Sequence, residues 1–145
     1  MRIKSKDIRE RLAAIWPALE YVWLWDTAYW TPSADTVQLA LDKSNVPTMD
    51  FIPEFHDCDD FAVQFMAEVR RKRYFQGKEG NLPAETKYPL TVGFCFGDMF
   101  RGMNKTHAAN ICLCDEGVYI LDAPPGENRM WKADSKNDNL IFVFM

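Results

Sequence analysis

The chain has 145 residues, 48% hydrophobic and 26% charged, with a net charge of −4. That size and balance suit one domain spanning 1–145 with a substantial core, and the acidic total argues against nucleic acid as the main partner. Aromatic residues reach 14%, which points to a dense core or an adhesive groove.

In chain order, Met1 to Lys6 is charged, no apolar signal core comes after it, and no apolar run approaches membrane-spanning length. The expectation is a cytoplasmic protein that does not engage a membrane. Ile8, Leu12, Ile15 and Trp16 fall at helical spacing before Pro17, predicting a helix over Lys6 to Trp16. Glu20 to Trp25 is aromatic and β-branched, a strand that serves either as a core wall or as a substrate-binding aromatic strip. Tyr29 to Ser33 reads as a turn, with Ser33 capping a helix that runs to about Lys43 and buries Val37, Ala40 and Leu41. Ser44 to Pro53 is a proline-punctuated connection.

Next comes Phe55-His56-Asp57-Cys58-Asp59-Asp60-Phe61-Ala62. Asp57 reads as an N-cap with Asp60 closing a capping box, which puts Cys58 at the first position of a helix to about Arg73. Ala62, Phe65, Met66 and Val69 form its buried flank. The basic run Arg70-Arg71-Lys72-Arg73 reads as a solvated last turn, and Gln76 to Tyr88 as a long loop. Strands are expected over Leu90–Phe96, His107–Cys114, Val118–Asp122 and Asn139–Phe144, the middle two as a hairpin around Asp115-Glu116-Gly117. Helices first and an antiparallel sheet after them give an α+β class.

The chemistry concentrates on three residues. A thiolate is favoured at a helix N-terminus, but three neighbouring carboxylates oppose a further negative charge. Either Cys58 is no nucleophile, or the carboxylates face elsewhere and hold a cation. If the predicted hairpin pairs, Asp122 at the end of one strand approaches His107 at the start of the other. A thiol needs a base, and the base needs an orienting acid; Cys58, His107 and Asp122 supply those roles. Each residue alone also has a plainer reading, as a buried small group or a hydrogen-bonded structural histidine. Asn110 falls on the opposite strand face from His107. Cys95, Cys112 and Cys114 read as core thiols, and His56 as a turn residue.

Asp57-Cys58-Asp59-Asp60-Phe61-Ala62, His107-Ala108-x-Asn110 and the hairpin ending in an acid resemble the papain-like cysteine-protease domain of the MOA-type mushroom agglutinins. The likeness is greatest to that domain's small stand-alone relatives in bacteria and phages, and covers about Tyr29 to Pro124. More distantly, the pattern is similar to bacterial transglutaminase-like cysteine proteases. The resemblance implies a papain-like or transglutaminase-like fold, with a central Cys-bearing helix packed on the C-terminal sheet. It implies Cys58 as nucleophile, His107 as base and Asp122 as orienting acid, acting on an amide of a protein or peptide substrate, with the acyl group passing to water (protease or amidase) or to an amine (acyl transfer). The agglutinin domain carries glutamate then proline where this chain has Asp122-Ala123-Pro124. Its calcium dependence makes Asp57, Asp59 and Asp60 the expected carboxylates for an ion; no other cofactor is called for.

The backbone N–H of Cys58 is the expected oxyanion donor, with Trp30 or Tyr29 as a second. The competing expectation is a catalytically inactive papain-like module that binds a protein partner, as a phage accessory protein would.

Overall fold

The computed structural model describes residues 1–54, 56–124 and 129–145. Three helices carry the N-terminal half: α1 (Ser5–Ile15), α2 (Ala34–Asp42) and α3 (Cys58–Lys78). The strands are β1 (Arg2–Lys4), β2 (Tyr21–Trp23), β3 (Ala28–Trp30), β4 (Val92–Phe100), β5 (Met103–Cys114), β6 (Gly117–Leu121), β7 (Met130–Lys132) and β8 (Asn139–Phe144). The class is α+β, with a helix packed on a C-terminal sheet.

The main sheet has six strands in the order β2-β8-β4-β5-β6-β7, and β1 pairs separately with β3. It is antiparallel except at one edge, where β2 runs parallel to β8. The C-terminal strands β4 to β8 pair antiparallel as expected, and the parallel pair comes from the N-terminal strand β2 added at the edge. Strand periodicity records which face is buried but not which distant segment lies alongside.

Alternation along β5 divides the core. Ala109, Ile111 and Leu113 join Ile8, Leu12 and Trp16 of the α1 layer. Cys112 and Cys114 join Phe61, Phe65 and Val69 of α3 and Val37 and Leu41 of α2. β4 and β8 approach closely because Gly97 has no side chain; a Cβ there would lie 2.3 Å from the Asn139 carbonyl oxygen.

Three local elements differ from expectation. Ala28–Trp30 is a strand, not part of a turn, because β1 supplies a partner. Helix α3 continues past Arg73 to Lys78, shortening the expected loop, and a 3₁₀ turn occupies Ala84–Thr86 within the remainder. The run 70–73 does not end the helix: Arg71 and Lys72 are exposed, while Arg73 is part-buried and donates to the carbonyls of Thr86 and Tyr88, clamping that turn to the helix.

Candidate functional site

The central helix begins as its sequence dictates. Asp57 is the N-cap, and its N–H donates to Asp60 Oδ2 at 3.1 Å, closing the capping box. Cys58 is therefore the first helical residue, at the end where unpaired N–H groups concentrate positive potential. It is half-buried, whereas Cys95, Cys112 and Cys114 are fully buried. Burial pushes the thiols of Cys95 and Cys112 well above their ordinary pKa, with the Cys114 sulfur adding to the effect at Cys112.

The residues before Cys58 are held in a tight turn. Ile52 and His56 exchange backbone hydrogen bonds of 2.8 and 2.7 Å. Phe55 lies outside the described residues. The His56 Nδ1–H donates to the Asp50 carbonyl (3.0 Å), so its Nε2 accepts from the Gln64 amide (3.0 Å). Both ring nitrogens are occupied by structure.

His107 and Asp122 do come together. The β5–β6 hairpin pairs Cys114 with Gly117 through Asn110 with Leu121, and Asp122 is the next residue. His107 Nε2 lies 3.0 Å from Asp122 Oδ1. A carboxylate only accepts, so Nε2 carries the proton and Nδ1 of the neutral ring holds the basic lone pair. The ring is 7% exposed and stands edge-on to Phe100, with centroids 5.4 Å apart. Orientation is thus fixed from two sides.

Alternation gives His107 the same side of β5 as Ala109, while α3 packs on the other. The ladder between β5 and β6 ends at Asn110–Leu121, however, so residues 107–109 have no β6 neighbour. This leaves a notch beside His107 at the end of the β5–β6 ladder. Asn110 ties the helix there: its buried Nδ2 donates to the carbonyls of Ala62 (2.7 Å) and Gly93 (3.0 Å). Ala62 lies one helical turn beyond Cys58. As expected from parity, Asn110 points away from His107; its role as a helix anchor goes beyond what parity indicates. The signal for it is one polar residue inside the apolar run Ala108 to Leu113.

The expected second oxyanion donors lie elsewhere. Trp30 lines a cavity of about 420 Å³ with Phe65, Val69 and Arg73. Those positions begin two turns along α3, about 10 Å from Cys58 at 1.5 Å per residue. Tyr29 is fully buried and donates its hydroxyl to the Met145 carbonyl. Both placements result from β3, whose pairing with β1 fixes them away from the helix start.

One ligating atom each from Asp57, Cys58 and Asp59 falls within a 4.8 Å cluster. Asp57, more than burial, holds the Asp59 carboxyl above its usual pKa. The set does not fit calcium, which takes about six to eight hard oxygens. It offers two carboxylates and a soft sulfur, and Asp60 already accepts the cap N–H. Two further acids, Asp98 and Asp115, are engaged by Asn139 and Thr31 respectively.

No protein-family model matches the chain, and no curated protein matches it either. Solved structures do. PSL1a in complex with E64 is similar over 99% of this chain, with a TM-score of 0.75 and 20% identity. Polyporus squamosus lectin bound to a human-type influenza-binding epitope covers 99%, with a TM-score of 0.72 and 20% identity. The chain spans about half the length of each, 51% and 49%. These neighbours share their fold with this chain.

Proposed function

We propose that this chain is a papain-like cysteine hydrolase that attacks an amide carbonyl of a protein or peptide with Cys58. The observation that carries the reading is the His107–Asp122 hydrogen bond, which leaves Nδ1 as the base. Support comes also from Cys58 at the N-terminus of α3 and from the likeness to PSL1a, whose complex contains E64. E64 is an epoxide, a group that thiolates open.

In this reading the His107 ring serves the sulfur through the notch beside β6. Nδ1 takes the thiol proton, sulfur bonds to the carbonyl carbon, and the oxyanion forms beside the first N–H groups of α3. The C–N bond then breaks as the imidazolium returns its proton to the leaving amine. Water, deprotonated by Nδ1, releases the acyl group and restores the thiol. Asp122 holds the tautomer and stabilises the imidazolium.

A second reading, a binding module without turnover, is favoured by the edge strand β2 and the residues after it. Tyr21, Trp23 and Trp25 are 55%, 60% and 74% exposed, an aromatic strip able to stack on a ligand.

Labelling with E64 or iodoacetamide across pH separates the two. The hydrolase reading expects Cys58 to react first, with His107→Ala and Asp122→Asn each slowing it at neutral pH by about tenfold or more. Cys58 labelling that ignores both substitutions would leave binding as the function.

A further inference from the structure

The basic run on α3 also borders a cleft, at the end of the helix remote from Cys58. The last turns of α3 and the segment from Leu82 to Pro89 enclose about 400 Å³. That volume lies within the range of small-molecule sites, about 300–1,000 Å³. Its charged lining is Arg70, Arg73, Lys78 and Lys87, and among the described residues no acid lines it. In a chain of net charge −4 this is a concentrated positive site.

The cations are poorly neutralised by the protein itself. Among the described residues Arg70 reaches one carboxylate, Asp26, at the long distance of 3.5 Å, and its buried Nη2 has no hydrogen-bond partner. Arg73 gives two N–H groups to backbone carbonyls and none to an acid, and burial lowers its pKa. Lys78 and Lys87 sit at the rim. A fifth cation, Arg2, lies 4.8 Å over the Tyr88 ring, which also lines the cleft. The remaining walls are apolar or aromatic, from Tyr74, Leu82 and Pro89.

We infer that this cleft binds a small phosphate monoester carried on an apolar or aromatic body. Four converging cations exceed what one carboxylate neutralises and match a dianion. Among the described residues Arg70 Nη2 is a guanidinium donor without a protein partner, and a charge-assisted bond to phosphate would satisfy it. The tyrosine and leucine walls suit the organic part. Gly77 keeps the space open: a Cβ there meets only the Leu82 Cδ1, at 4.0 Å. A glycine inside a helix costs about 1 kcal/mol relative to alanine, so filling this position strengthens the helix.

The test is calorimetric titration of the whole chain with phenyl phosphate and, separately, inorganic phosphate. Phenyl phosphate is expected to saturate one site, more tightly than inorganic phosphate, and to weaken with salt. Gly77→Leu fills the cleft without removing charge and should abolish binding. Lys78→Glu with Lys87→Glu should weaken it about tenfold, each exposed charge contributing up to about 1 kcal/mol. Neither variant should change the alkylation rate of Cys58, so the outcome is independent of the hydrolase reading. Absence of saturable binding, or binding indifferent to both variants, overturns the site. Equal affinity for the two phosphates overturns the organic part of the ligand.

Discussion

Asp57, Cys58 and Asp59 place two carboxylates and a thiol together at one helix start. The helix end stabilises one negative charge nearby; it does not stabilise three. The Asp59 carboxyl is raised above its ordinary pKa, by its hydrogen bond to Asp57 more than by burial. A bound cation would need hard oxygens beyond the two carboxylates that cluster here among the described residues. A calcium titration of the whole chain should therefore leave both the melting temperature and the alkylation rate of Cys58 unchanged. A rise in either would return these aspartates to a metal role. The capping residues are readable in the sequence because Asp at N-cap and Asp three residues on are a local pattern. The Asp57–Asp59 contact is not, since it depends on side-chain rotamers at a turn.

At the scale of elements, α3 is both the longest helix and the one whose end the sequence misplaces. A basic run with Gly77 after it looks like a terminus, because cations complement the helix C-terminus and glycine favours its exit. Tertiary bonds override that: Arg73 finds backbone acceptors at Thr86 and Tyr88, and the helix goes on beneath them. Midway along, Glu68 accepts from the Ser44 hydroxyl and pairs with Lys72 Nζ at 2.7 Å, in the favourable i,i+4 order. Burial alone would raise the Glu68 carboxyl, but Lys72 and Ser44 together bring it below its ordinary value. A lowered pKa means the folded state holds its proton less tightly than the unfolded chain. The stability it adds is present above the ordinary value of 4.5 and is lost as pH falls through the folded pKa. Glu68→Gln should thus cost about 0.5–1 kcal/mol in urea unfolding at neutral pH. The gap to the unchanged chain should close in strong acid; a gap that persists there would mean that shape, not charge, holds this contact.

Across the whole molecule, the sheet lies between an α1 layer and an α2–α3 layer, and the His107–Asp122 half of the candidate site lies where β6 stops pairing with β5. The His107–Asp122 half of that site is legible in the sequence, because a short turn between two strands fixes which residues face each other. The relation of Cys58 to that pair is not, since helix placement depends on contacts between segments some fifty residues apart. Asn110 ties the helix to the sheet physically: its amide joins the Ala62 carbonyl on α3 to Gly93 on β4, and its buried Oδ1 has no partner among the described residues. Removing it leaves two interior carbonyls short of a donor, at about 1–3 kcal/mol. Asn110→Ala should lower stability by that amount. If the amide also positions the helix start, the same substitution should slow Cys58 alkylation and shift its pH profile toward that of an unassisted thiol. A purely structural Asn110 would lower stability and leave the pH profile of the folded protein where it was. The profile, measured well below the melting temperature, therefore decides whether the sheet and the nucleophile helix are coupled through this residue.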